Sequence, residues 1–262
     1  MDVSLTQSPS MMTLNGIDVA VTRQGSGAPL LLLTNEDGTE AGSKLVDLLA
    51  KDFEVIVPDA PGFGASPDDE RLTNVDDIAY LYLDLIDHLK LRDVRLVGFS
   101  LGGWIAAEMA TKSCQNLGRI ALVDSYGIKI GGPYDRDIAD IYVLPRDDLA
   151  ARTYGDPSRA PDFTTMDEAA VRTIARNRLA TVRYCWEPYM HNPKLLGRLH
   201  RISVPTLVMW GEKDGIVAPA YGRAYAAAIP GAVFETMAGA GHLPQLEQPD
   251  RSAAKLRDFL KK

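Results

Sequence analysis

The 262-residue chain is 46% hydrophobic and carries a net charge of −7, from 28 Lys+Arg against 35 Asp+Glu. That supports one large core, or a core plus a small accessory unit. The acidic balance argues against nucleic acid or an anionic membrane as partner, and no apolar run approaches the ~20 residues of a membrane helix.

The N-terminal "MDVSLTQSPSMMTLNG" has neither a basic start nor an apolar h-region, so it does not read as a signal peptide. Asn15-Gly16 is a hairpin signal before the alternating, β-branched strand "GIDVAVTRQG" (16–25). "APLLLLTN" (28–35) is a continuous apolar run, as a strand buried on both faces would be. "SKLVDLLAKD" (43–52) has helical spacing, and "FEVIVPDAPG" (53–62) is a second buried strand ending in turn residues. "NVDDIAYLYLDLIDHLK" (74–90) is predicted helical, with Thr73 as its N-cap. "DVRLVGF" (93–99) and "GRIALVDS" (118–125) are strands with a helix between them. After a break, the strands "VPTLVMWGEKD" (204–214) and "GAVFETM" (231–237) flank a helix over Tyr221–Ile229, and a helix closes the chain. This alternation predicts an α/β protein with a parallel, doubly wound sheet, whose chemistry sits beyond the strands' carboxyl ends.

The break, 126–203, divides a core of 1–125 and 204–262 from a predicted helical cap or lid. It is rich in aromatics and arginines. "TMDEAAVRTIARNRLATVRY" (165–184) reads as a helix with a Thr165/Glu168 capping box and an apolar side of Val171, Ile174, Leu179 and Val182. Arg172, Arg176 and Arg183 read as a solvated face; the sharper reading gives one of them a substrate carboxylate.

Ser100 lies in Gly98-Phe99-Ser100-Leu101-Gly102, a G-x-S-x-G pattern between a strand and a helix. The close turn needs small neighbours and holds the serine above the sheet at a helix start, which suits a nucleophile. A serine needs a base. Of four histidines, His242 is the one in a loop after a strand, in "AGAGHLPQLEQPD". The base needs an acid. Asp214 follows "TLVMW"; Asp124 after "IALV" is a rival, and Asp59 in "PDAPGFG" reads as a turn former.

"GFSLGGWIAAEMA", "PDAPGFGAS", "PTLVMWGEKDGIVAP" and "GAGHLPQLEQPD" together resemble the α/β-hydrolase fold family over about 15–125 and 200–262. The resemblance implies a Ser100–Asp214–His242 triad, no cofactor, and an oxyanion hole from the backbone N–H groups of Leu101 and Glu36. Where the family usually has His-Gly, this chain has Thr34-Asn35. Asn35 is expected to keep that bend by a positive φ, and the Glu36 carboxylate is expected to point away from the developing oxyanion. Asn35, Phe99, Trp104, Trp186 and Leu243 are candidates for touching substrate, with core packing an equal reading of Trp104. Ring-cleavage C–C hydrolases usually carry Asn before the serine and Trp after the histidine; Phe99 and Leu243 stand there.

The expected activity is a serine hydrolase cleaving a small, largely apolar carboxylic ester. A C–C bond hydrolase and a binding or biosynthetic protein on the same scaffold are the alternatives. No CxxC, HExxH or histidine cluster suggests a metal, and Cys114 and Cys185 read as free thiols in a reducing cytoplasm. The expected partner is a small molecule, for a monomer or homodimer.

Overall fold

The computed structural model describes residues 8–38 and 43–262. Residues 1–7, part of the stretch that bears on a signal peptide, lie outside the described residues. A hairpin opens the fold: β1 (Ser10–Leu14) pairs antiparallel with β2 (Ile17–Gly25). Asn15 and Gly16 between them take φ of 50° and 79°, as a two-residue primed turn requires. β1 has no counterpart among the sequence expectations; it is mostly exposed and pairs only at the sheet edge.

The other strands are β3 (Ala28–Leu33), β4 (Phe53–Pro58), β5 (Val94–Phe99), β6 (Leu117–Val123), β7 (Thr206–Gly211) and β8 (Val233–Met237). They form one eight-stranded sheet in the order β1-β2-β4-β3-β5-β6-β7-β8. From β4 to β8 every pairing is parallel, and β2 meets β4 antiparallel.

Both faces of the sheet are covered. Helices α1 (Lys44–Leu49), α2 (Val75–His88) and α3 (Leu101–Lys112) follow β3, β4 and β5. The segment after β6 holds α4 (Arg146–Thr153) and α5 (Glu168–Cys185). The chain ends with α6 (Pro219–Ala228), α7 (Pro244–Glu247) and α8 (Pro249–Leu260). The leucine run of β3 shows why such a strand reads as continuously apolar. Leu31 and Leu33 pack with residues of α2 and α3, while Leu30 and Leu32 pack on the opposite face with α1 and α8. Each fully buried leucine contributes about 1.5–3 kcal/mol relative to exposure.

Some local expectations shift. Asn74, not Thr73, caps α2: its side chain accepts from Asp77 N, and Asp77 returns a bond to the Asn74 backbone. Asp167, not Thr165, caps α5, with its side chain accepting from Ala170 N. The inward face of α5 differs more. Leu179 is 72% exposed and Val171 is 42% exposed, whereas Asn177 and Thr181 are fully buried. The helix turns its polar and small residues inward because it lies against the backbone of the β3 loop. Among the described residues, no helix is long and apolar enough to cross a membrane, and both cysteines are free.

Candidate active site

Three loops at the carboxyl ends of β5, β7 and β8 meet. Ser100 follows β5 directly and takes φ 51°, ψ −113°, a strained geometry that costs about 1–3 kcal/mol and persists only where the surroundings enforce it. The enforcement is visible. Ser100 N donates to Val123 O at 2.9 Å, and Ser100 O accepts from Trp104 N and Tyr126 N. A Cβ added at Gly102 would lie within 3.0 Å of the Leu33 and Thr34 carbonyl oxygens, and one at Gly98 within 3.0 Å of the Gly102 backbone. The two glycines of the motif therefore let α3 pass against β3 and β5. Leu101 is the first residue of α3, where helix N–H groups lack intrahelical acceptors.

Ser100 Oγ lies 2.8 Å from His242 Nε2, and His242 Nδ1 lies 2.8 Å from Asp214 Oδ2. The other Asp214 oxygen accepts from Ile216 N and Val217 N, both at 2.9 Å. These bonds aim the carboxylate at the imidazole and fix the tautomer with hydrogen on Nδ1. Desolvation lowers the His242 pKa, but the charges of Asp214, Glu36 and Asp37 outweigh it and raise it overall. His242 N donates to Thr153 O at 2.7 Å. Glu247 accepts from Gly241 N at 2.7 Å and Gly155 N at 2.8 Å, so the histidine loop is tied to the 126–203 segment. Glu247, in "LEQPD", carried no signal that its spacing could reveal.

Asp124 sits behind this chain rather than in it. Its Oδ1 accepts from Gly211 N at 2.8 Å, and no hydrogen bond reaches its buried Oδ2. Burial, then the charge of Asp214, raises its pKa well above the usual carboxylate range. Asp59 accepts from Ala65 N at 2.9 Å, within its own turn.

Glu36 departs from expectation. Its carboxylate points at Ser100 Oγ, not away. Ser100 Oγ donates to Glu36 Oε2 at 2.7 Å and Tyr126 OH donates to Oε1 at 2.8 Å. The physical reason is that the side chain is buried, 8% exposed, and these hydroxyls meet its need for donors. The Tyr126 ring also stacks on His242, with centroids 5.3 Å apart. Asn35 is not among the positive-φ residues. The bend is made instead by Gly38, φ 70°, whose N–H donates to Asn35 O.

α5 holds this loop. Thr181 Oγ1 donates to Glu36 O at 3.3 Å, and Asn177 donates to Asp37 O while accepting from Gly64 N. None of the three singled-out arginines reaches Ser100. Arg172 pairs with Glu168, Arg176 donates to Gly64 O and Ser66 O, and Arg183 pairs with Asp68. The arginine at the site is Arg178, beside Asp37. Asp37 is pushed up to about 6 by burial and then by the Glu36 charge.

A cavity of about 40 Å³ adjoins His242, walled by Ile141, Tyr142, Leu149, Ile216 and Leu243 with Glu36, Asp37 and Arg178 at its polar side. Leu243 is thus at the site. Phe99 is 1% exposed and packs under the sheet with Val97 and Val123. Trp104 is buried in the opposite core, where its Nε1 donates to Glu108. Trp186 lines a separate cavity of about 300 Å³ beside Lys129 and His191, and Asn35 lines a void of about 10 Å³ with Phe63 and Leu101. These four do not wall the cavity at His242.

The comparisons agree with this architecture. The sequence matches the alpha/beta hydrolase family over residues 38–255. It is 28% identical to a 2-hydroxy-6-oxononadienedioate/2-hydroxy-6-oxononatrienedioate hydrolase of Paraburkholderia phymatum, over 90% of this chain and 88% of that protein. A bacterial membrane phospholipase A superposes with a TM-score of 0.77 at 21% identity, covering 98% of this chain and 86% of that one. A meta-cleavage product hydrolase variant from Pseudomonas fluorescens does so with a TM-score of 0.77 at 19% identity, covering 97% and 98%. With sheet order, the strained Ser100 turn and the family match in agreement, the chain belongs to the alpha/beta hydrolase family, and hydrolysis is the activity that membership supports.

Proposed function

We propose that the protein is a serine hydrolase that cleaves a small, largely apolar carboxylic ester through an acyl-enzyme. The observation that carries this reading is the buried chain from Ser100 Oγ through His242 to Asp214, with both links at 2.8 Å. Ser100 attacks the acyl carbon while His242 Nε2 takes its proton. In this reading the backbone N–H groups of Leu101 and Glu36 stabilise the developing oxyanion. His242 returns the proton to the leaving alcohol, and water, activated by the same nitrogen, releases the acid. Asp214 orients the imidazole and stabilises its cation. The aliphatic walls and small volume of the adjoining cavity favour a short apolar group. The free thiols are compatible with a cytoplasmic setting.

The second reading, hydrolysis of a C–C bond in a ring-cleavage product, is favoured by the Paraburkholderia relative. Against it stand Phe99 and Leu243, flanking the serine and histidine.

The test is p-nitrophenyl ester hydrolysis over two- to eight-carbon acyl chains, with ring-fission dienones in parallel, for the wild type and Ser100→Ala. Ester turnover that disappears in the variant is the expected result. Turnover of dienones alone would replace the ester reading with the C–C reading. Rates equal in both proteins would remove Ser100 from the chemistry.

A further inference from the structure

His242 and Asp214 meet from separate loops, after β8 and β7. A third piece of chain lies against both loops. It is the turn that ends α4, residues 152–155. Gly215 N, next to Asp214, donates to Arg152 O at 2.9 Å, and His242 N donates to Thr153 O at 2.7 Å. A helix end has carbonyls to spare, because its last turn lacks intrahelical donors. Here two consecutive carbonyls hold the loop of the acid and the loop of the imidazole.

Glu247 closes this junction. It is the last residue of α7 and is buried. Its Oε1 accepts from Gly241 N at 2.7 Å, and its Oε2 accepts from Gly155 N at 2.8 Å. One carboxylate thus bridges the residue before His242 and the residue that follows the α4 turn. Bonds from N–H to an ionised acceptor are among the stronger ones in proteins. The packing around both donors is close. A Cβ at Gly241 would lie within 3.0 Å of Thr153 O and Gly155 N, and one at Gly155 within 3.0 Å of Gly239 O. Arg159 donates to the Glu247 carbonyl at 2.6 Å, which fixes the residue from the same segment.

We propose that Glu247 is a positioning residue for His242: its two oxygens lock the histidine loop to the end of α4 and so set the imidazole between Ser100 and Asp214. The proposal rests on the reading in which His242 moves the Ser100 proton. Glu247 touches neither substrate nor reacting atoms; it acts through the backbone at Gly241. Without it, two buried N–H groups lose their acceptor, and the loop shifts to satisfy them. The imidazole shifts with the loop, and a misplacement of about 1 Å at a reacting group costs about 10²-fold in rate. The 126–203 segment holds half of the lock, so His242 is set only while the α4 turn is seated. The same helix walls the cavity at His242, through Leu149 and Thr153.

The experiment is steady-state ester hydrolysis by the wild type, Glu247→Gln, Glu247→Ala, Gly155→Ala, Ile86→Ala and Ser100→Ala, with thermal unfolding of each. The downfield proton resonance of the His242 Nδ1–H bond to Asp214 is recorded alongside. Ile86→Ala is the control for lost stability: Ile86 is buried on α2 and lines a void with Leu117, at the opposite end of β6 from Ser100. Glu247→Gln keeps the shape but sets an NH2 group against a backbone N–H. Its kcat should fall about tenfold, with KM within about threefold of the wild type. Glu247→Ala should lose about 10²-fold in kcat, and Gly155→Ala should lower kcat in the same direction by unseating the turn. The resonance should shift in both Glu247 variants and stay in place in Ile86→Ala, which should keep its kcat. Glu247→Gln carries the test if the alanine variant does not fold. Wild-type kcat and an unmoved resonance in Glu247→Gln, or an equal kcat loss in Ile86→Ala, overturn the role of Glu247 while Ser100-dependent turnover stands. Wild-type kcat in Gly155→Ala overturns the part given to the α4 turn. Turnover that persists in Ser100→Ala overturns the acyl-transfer reading and the proposal with it.

Discussion

Asp124 and Asp214 each place a carboxylate oxygen within 4.8 Å of the other and of a His242 ring nitrogen. Two buried carboxylates this close do not both ionise readily. Asp214 has backbone N–H donors and the imidazole; Asp124 has one N–H donor and a bare Oδ2. The proton therefore resides on Asp124. Asp124→Asn preserves a neutral group and the acceptor for Gly211 N, so kcat should change by less than about threefold. Asp214→Asn removes the charge that orients and stabilises imidazolium, and kcat should fall by about 10⁴-fold. Steady-state kinetics of the two variants checks this; equal losses would make Asp124 the working acid.

The turn that carries Ser100 depends on the absence of a side chain at Gly102. A methyl there meets two backbone carbonyl oxygens that cannot swing aside. Gly102→Ala should destabilise the fold by about 3 kcal/mol and lower kcat by displacing Ser100. Urea denaturation and ester turnover on the same preparation would show both losses together.

Asn177 is a buried polar side chain on α5 that satisfies Gly64 N and the Asp37 carbonyl. Asn177→Ala leaves both without a partner and should cost about 1–3 kcal/mol. Because the same loop carries Glu36, kcat should fall as well. Asn177→Asp keeps the acceptor for Gly64 N but places an oxygen against Asp37 O, so it should rescue neither property.

Asp37 has its pKa raised to about 6 in the fold, from an ordinary value of 3.8. A raised pKa means the folded protein prefers the protonated acid. That contribution is full below about pH 3.8 and lost as pH rises through about 6. Asp37→Asn should therefore stabilise the protein by about 1–2 kcal/mol at pH 8, less than the full linkage value because Asp37 is partly exposed. The gain should vanish near pH 4. Thermal unfolding at the two pH values decides it: a difference independent of pH would mean that Asp37 does not titrate on unfolding.

How far the sequence reached depends on the range of the interaction. G-x-S-x-G between a strand and a helix states a local steric problem, and glycine is its local solution, so the tight turn at Ser100 was legible. The meeting of Asp214 and His242 with Ser100 was legible because each follows a strand in a turn, and parallel strands bring such turns to one edge. β1 was not, since an exposed edge strand needs little apolar pattern. The inward face of α5 was misread for a related reason: a helix normally buries its apolar stripe, but this one lies on loop carbonyls and turns Asn177 and Thr181 toward them.

The sequence by itself thus pointed to the edge of the sheet where Ser100, His242 and a short list of acids meet, because their place after successive strands follows from periodicity and spacing along the chain. Only the tertiary structure set Asp214 rather than Asp124 on the His242 ring, brought the Tyr126 hydroxyl onto Glu36, and turned Glu36 toward Ser100. Those outcomes rest on which buried polar atoms find donors across 28, 90 or 64 residues of sequence separation, and hydrogen-bond satisfaction at that range is set by packing, not by pattern.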